Sequence, residues 1–249
     1  MTRRITIGLV FCGASLFAAD ELPKAETILE KYIEATGGKA AYAKVHGDIS
    51  TGTMTFTAMG LTGKLVMYSL APDKRLVEIT LEGVGKISEG VNGDVAWSMN
   101  AMQGPRLKEG EEKATTLLQA RYNAEAQWRD LYKTVETVGV EQVDGKDAYK
   151  VLLTPKSGRP ITKWYDKDTN LLVKIAMTSQ SPMGEIAIET FPSDYRKEGD
   201  LIQPHKMVMK AAGQDLTMTF DKVEYNADIP KDKFDPPAEV KALMNKPAK

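Results

Sequence analysis

Few residues in this chain are of types that carry out catalysis, and they are scattered. Only two histidines occur, His46 and His205, although histidine is the commonest general base and metal ligand. His46 follows a helical segment in Lys44-Val-His-Gly-Asp48, and His205 follows a proline in Ile202-Gln-Pro-His-Lys-Met207. Each is expected to be structural or solvated. The single cysteine, Cys12, leaves no pair for a disulfide or a thiolate metal site. None of the patterns H-E-x-x-H, G-x-S-x-G, G-x-x-x-x-G-K-[ST] or G-x-G-x-x-G occurs with its required flanks. The 34 acidic residues leave a carboxylate-based hydrolase or isomerase open as a third reading. No catalytic residue, metal or cofactor is expected, and the chain reads as a non-enzyme.

The other chemistry available is recognition of an apolar ligand. Ten of the twelve methionines fall between Met54 and Met218, with Met54, Met67, Met99, Met177, Met207, Met209 and Met218 in strand-like stretches. Methionine is unbranched and adapts its shape, so it suits a surface that accepts varied apolar partners as well as it fills an irregular core. Aromatic content of only 7 % favours plain core packing. Arg75 is in phase with Val77, Ile79 and Leu81, which would aim its guanidinium fork at an ester carbonyl, carboxylate or phosphate head group. Its place beside the Ala71-Pro72-Asp73 turn makes the solvent rim the simpler expectation. Lys64 beside Gly63 reads as a solvated edge charge, and Trp97 and Trp164 read first as core anchors. The candidate ligand-binding set is Met54, Phe56, Leu65, Met67, Arg75, Val77, Ile79, Trp97, Met99, Leu118 and Tyr122.

The elements that must position these residues begin with an export signal. Arg3 and Arg4 precede an uncharged apolar run from Ile5 to Phe17, too short for a lasting membrane span, with Ala18 and Ala19 before Asp20-Glu21. Residues 1–19 are therefore expected to be a signal peptide, although Leu16 or Phe17 stands where the cleavage site prefers a small residue. Cys12 falls inside it, and a lipid-anchored form starting at Cys12 is disfavoured by the preceding Phe11. Residues 20–249 are expected to form one soluble periplasmic domain. Loss of Arg3 and Arg4 leaves 31 basic and 34 acidic side chains, with no block of like charge to suggest nucleic acid or an anionic membrane.

Residues 22–45 read as a helix with Ile28, Leu29, Tyr32 and Ile33 on one stripe and Gly37-Gly38 able to end a turn. From Ile49 the period becomes two: Met54, Phe56 and Ala58 alternate with threonines, and Val77, Ile79 and Leu81 share a face. Asn92-Gly93 is a strong hairpin signal before Val95-Ala-Trp-Ser-Met99. Asn100 to Pro105 reads as a loop, with Gly104-Pro105 a candidate hinge, and residues 109–133 read as a helical insertion with Leu117, Leu118, Tyr122, Trp128 and Leu131 apolar. Strands resume from Thr134 to Tyr225 at spacings of about ten residues, which favours a single curved sheet. The fold class is mainly β with α: one large antiparallel sheet of about eleven strands, a half-open barrel covered by an N-terminal helix and a mid-chain helical insertion.

This layout resembles the periplasmic lipoprotein carriers LolA and LolB and related lipid-binding half-barrels. The similarity lies in the order of elements and in short phrases: Gly90-Val-Asn-Gly-Asp-Val-Ala-Trp97, Trp164-Tyr-Asp-Lys-Asp-Thr-Asn-Leu-Leu-Val-Lys-Ile175, Asp194-Tyr-Arg-Lys-Glu-Gly-Asp-Leu-Ile-Gln-Pro204 and Ile229-Pro-Lys-Asp-Lys-Phe-Asp235. The resemblance implies the half-barrel fold and, less directly, acyl-chain binding in outer-membrane lipoprotein sorting. The expected partners are lipid or lipoprotein acyl chains, with envelope membrane proteins as a further class; the expected state is a monomer. The alternative is an envelope accessory module with a filled core that binds a protein partner through its outer surface.

Overall fold

Alternation of apolar and polar side chains on successive residues makes each strand two-faced, and that property fixes the architecture. The computed structural model describes residues 21–101, 103–181 and 184–245. The expected signal peptide and Cys12 lie outside them. Helix α1 (Ala25–Ala35) buries Ala25, Ile28, Leu29, Tyr32 and Ile33, the i, i+3, i+4, i+7, i+8 stripe of an amphipathic helix. The helix expected across 22–45 breaks at Gly37, whose φ of 129° is left-handed and where a Cβ would stand 2.5 Å from the Asp200 carbonyl oxygen. Helix α2 (Gly38–Ala43) follows.

Six strands then form a meander: β1 (Gly47–Phe56), β2 (Leu61–Leu70), β3 (Lys74–Leu81), β4 (Gly85–Asn92), β5 (Val95–Asn100) and β6 (Gly104–Leu107). The insertion is not one long helix but α3 (Gly110–Gln119), a looped stretch, and the short α4 (Trp128–Leu131). Seven more strands follow: β7 (Tyr132–Val143), β8 (Lys146–Pro155), β9 (Ile161–Asp166), β10 (Leu172–Ser181), β11 (Gly184–Glu198), β12 (Leu201–Ala211) and β13 (Gln214–Tyr225). Helix α5 (Ala238–Met244) closes the described chain.

All thirteen strands belong to one antiparallel sheet ordered β6-β5-β4-β3-β2-β1-β13-β12-β11-β10-β9-β8-β7. The pairing of β1 with β13 joins the two meanders. Strands β6 and β7 remain edges, so the coiled sheet is a half-barrel rather than a closed one. Strand β6 accounts for part of the excess over the expected eleven. Gly104-Pro105 is thus strand and not loop: Pro105 pairs with Met99, an edge position where its missing N–H costs no ladder bond.

Each face is covered differently. On the concave face, α1 packs on the β7–β10 half with Trp128, Tyr132, Val151, Leu153, Tyr165 and Leu172. Leu29, Ile33, Val151, Leu153 and Tyr165 are at most 2 % exposed, and each aliphatic side chain buried this completely contributes about 1.5–3 kcal/mol. On the convex face of the other half, the C-terminal segment lays Ile229, Phe234 and Val240 over Leu76 and Trp97. The Trp97 indole lies directly across Gly90, where a Cβ would fall 2.3 Å from its ring. Gly90→Ala is expected to displace Trp97 and loosen the C-terminal segment, at a cost of about 1–3 kcal/mol. A thermal melt should fall by several degrees with a shifted tryptophan emission; an unchanged melt would contradict this packing.

Candidate functional site

The concave face of β1–β4 and β11–β13 is where the helices give out. Met54, Leu65, Ile79, Leu81 and Phe220 form an apolar cluster, flanked by partly exposed Phe56, Leu61, Met67, Val77, Ile87, Met207, Leu216 and Met218. This surface runs into a cavity of about 470 Å³ under α3. Its floor is supplied by Ile161 and Lys163 of β9, Ile175 and Met177 of β10, Ile188 and Thr190 of β11, Met207 and Met209 of β12, and Met218 of β13. Four unbranched methionines thus line a single space, a deformable surface of the kind that fits chains of varied shape.

The opposite wall is polar. Helix α3 contributes Glu112, Thr115, Thr116, Leu118 and Gln119, of which only Leu118 is apolar, and β3 and β4 contribute Arg75 and Glu89. Charges pin the start of α3. Arg106 meets Glu112 through two parallel bonds of 2.6 Å, and Lys108, 8 % exposed, meets Glu89 at 2.6 Å and the Thr116 hydroxyl at 3.2 Å. Arg159 ties Glu111 of α3 to Glu185 of β11. At the other end, Arg75 Nη1 donates to the Gln119 carbonyl at 3.1 Å, satisfying one of the acceptors a helix C-terminus leaves open. The Gln119 amide donates to Met177 Sδ at 3.3 Å.

Two charged groups stand out, Lys163 buried and Arg75 half-buried. Lys163, 5 % exposed, pairs with Glu125 from the loop after α3. Burial works against its charge, but Glu125, Tyr132 and Tyr165 outweigh that and hold the ammonium well above the ordinary lysine range. Arg75 differs, because its fork has only neutral partners: the Gln119 carbonyl and the Met67 thioether at 3.2 Å, while Nε is sealed from solvent without a partner. Burial lowers its pKa, and the more distant Glu89 and Asp48 oppose that. Asp48 is itself raised by burial, its Oδ2 accepting a bond from Ser50 at 2.8 Å.

The structure gathers many of the sequence-picked residues. Met54, Phe56, Leu65, Met67, Val77 and Ile79 share the apolar concave cluster. Arg75 and Leu118 line the cavity, so Arg75 turns inward and not to the solvent rim. Trp97 and Met99 stand on the convex face beneath the C-terminal segment. Tyr122 is buried in the loop after α3, its N–H bonded to the Pro72 carbonyl and its phenol raised by burial and by Asp48. Lys163 falls on the same face as Ile161 and Tyr165, a lysine in an otherwise apolar phase, and nothing near it in sequence shows that Glu125 from the loop after α3 meets it. His205 is buried with Nδ1 2.7 Å from the Phe220 carbonyl oxygen, a structural placement, and His46 is at the surface. Among the described residues no cluster of His, Cys, Asp and Glu could hold a metal, and no helix is long and apolar enough to cross a membrane.

No known protein family matches the chain by its sequence profile, and no curated protein matches it by sequence. Solved structures do match. A DUF1329 family protein from Desulfovibrio piger superposes with a TM-score of 0.58 at 15 % identity, covering 86 % of this chain and 98 % of that one. A LolA superfamily protein from Nitrosomonas europaea gives 0.57 at 16 %, covering 86 % and 98 %. A putative outer membrane lipoprotein-sorting protein domain from Vibrio parahaemolyticus gives 0.57 at 15 %, covering 89 % and 100 %. The chain therefore has a LolA-like fold.

The Lys163–Glu125 pair makes a direct test of how this wall is built. Glu125→Ala strands a buried ammonium and is expected to cost about 3–5 kcal/mol. The double variant Glu125→Ala with Lys163→Met should recover most of that in urea titrations. A double variant as unstable as the single one would show that the ion pair is not the reason for the loss.

Proposed function

We propose that this protein is a non-enzymatic periplasmic carrier that holds acyl chains of a lipid or lipoprotein between its curved sheet and α3. The observation that carries the reading is the unfilled space of about 470 Å³ floored by Met177, Met207, Met209 and Met218. A coiled sheet with an ordinary core would close that gap with its own side chains, as it does beneath α1. The volume lies within the range of about 300–1,000 Å³ typical of small-molecule sites. Each methylene moved from water into such a space gains about 0.8 kcal/mol, so an acyl chain gives useful affinity without any covalent step.

Access agrees with this use. In an antiparallel meander alternate turns share an end, so the β1–β2 and β3–β4 turns lie together at one end of the sheet. Their tips carry Met59 and Val84, two of the most exposed large apolar residues, beside the partly exposed Phe56, Leu61 and Ile87. The apolar groove opens there. Release would need α3 to swing, and the Arg159 pairs at its start are 30–58 % exposed, hence each worth less than about 1 kcal/mol. The stronger Arg106–Glu112 and Lys108–Glu89 pairs hold the start of α3 as a pivot. The N-terminal Arg-Arg-apolar-Ala pattern supports a periplasmic place, and the LolA-like fold supports a role in lipoprotein sorting or a related lipid traffic.

Protein purified from its native compartment and extracted with organic solvent should release a stoichiometric lipid detectable by mass spectrometry. Met209→Trp, which fills the cavity, should cut that occupancy by about tenfold or more while the fold survives at a cost of about 1–3 kcal/mol. A wild-type extract without lipid, together with no uptake of any hydrocarbon probe, would overturn the carrier reading.

A further inference from the structure

The cavity has a polarity along its length that the carrier reading alone does not require. Arg75 lies at one extreme, near the β2–β3 turn. By hydrogen-bonded register Met218 pairs with Met54, Met54 with Gly63, and Gly63 with Leu81. Leu81, on the level that Met54 and Met218 share, is six residues beyond Arg75 on β3, about 20 Å along that strand at 3.3 Å per residue, while Met67 and Met177 stand at the Arg75 end. That distance is the reach of one extended long acyl chain. The space of about 470 Å³ is near the lower end of small-molecule pockets, enough for one chain and too little for a bundle of three.

Arg75 is partnered in an unusual way. The other cations of the wall have carboxylates: Lys108 has Glu89, and Lys163 has Glu125. Among the described residues no carboxylate comes within ion-pair distance of Arg75. Its Nη1 holds the Gln119 carbonyl, and on the Nε–Nη2 edge, one of the two that can grip a carboxylate bidentately, Nη2 meets only the Met67 thioether and Nε has no partner. A thioether is a weak acceptor on a side chain with three rotatable bonds, so an anion can displace it at little cost. A half-buried guanidinium stays charged, and with Glu89 and Asp48 only at a distance its desolvation is incompletely compensated.

Resting on the carrier reading, we propose that the cavity takes a single-chain anionic amphiphile head first. Its carboxylate or phosphate monoester would replace the Met67 thioether on the Nε–Nη2 edge of Arg75, and its tail would run along Met207 and Met218 toward the open end. Arg75 then has two tasks on two edges, the anionic head on one and the end of α3 on the other.

The test is equilibrium binding of palmitate, hexadecanol, lysophosphatidate and a synthetic triacylated lipopeptide to delipidated protein, each below its critical micelle concentration. Palmitate or lysophosphatidate should bind about tenfold or more tighter than hexadecanol, with the lipopeptide weaker than either. Arg75→Gln should bring the ratio of acid to alcohol affinity down to about one, whatever the release of the α3 end does to hexadecanol binding itself, and Arg75→Lys, which keeps charge but loses the fork, should fall between them. Equal binding of acid and alcohol, a loss of both alike in Arg75→Gln, or tighter binding of the lipopeptide would each overturn the inference while leaving a carrier standing. Thermal melts of both variants separate loss of the head-group contact from loss of fold. Failure of every probe would sink the carrier reading and this inference together.

Discussion

Everything in this molecule follows from a mismatch between a long coiled sheet and the short helices available to cover it. Thirteen antiparallel strands accumulate twist and must coil, which creates a concave face with a continuous lining of apolar side chains. The 11 residues of α1 seal the β7–β10 part of that face with Ile28, Leu29, Tyr32 and Ile33. The 10 residues of α3 lie across the middle but present it with threonines, Glu112 and Gln119, Leu118 being the one apolar side chain among them. A helix with such an inner surface cannot complete a core. It can only roof one, and the space beneath is the consequence.

Polarity is distributed to match. The charges that hold α3 are kept at its two ends and on the strands that flank it, so the methionine floor stays free of ionised groups apart from Lys163, which Glu125 neutralises. Paired buried ions are poor sources of net stability, but breaking one is costly. The arrangement fixes where the roof sits without filling what lies below it. The convex side behaves oppositely: there the C-terminal segment packs Phe234 and Val240 at 1 % and 0 % exposure over Leu76 and Trp97, leaving an ordinary dry core.

Much of this was legible before any coordinates. Strict alternation at Val77, Ile79 and Leu81 and at Met54 and Phe56 marks the strands and their inward face, because a period of two survives in any curved sheet. What was lost has local causes. Gly104-Pro105 reads as a loop since an edge strand tolerates residues that an inner one rejects. Gly37 breaks the first helix through a close approach to Asp200, a contact from the far end of the chain. Trp97 and Met99 form one apolar stripe with Val95, which does not itself say on which side of the sheet it lies; only the C-terminal segment packed over them shows that it is the convex side. Arg75 carried the right phase, but its neighbouring turn pointed to the rim, and the burial that α3 imposes cannot be seen in β3 alone.

The central claim is that the methionine floor faces space that a hydrocarbon can occupy. Methyl NMR of protein labelled at the methionine Cε carbons measures this directly during titration with a long-chain amphiphile. Saturable shifts at Met177, Met207, Met209 and Met218, with Met99 and Met244 unmoved, are the predicted result. Shifts confined to exposed Met59 and Met244, or none at all, would mean that nothing enters beneath α3 and that the hollow is only a packing defect.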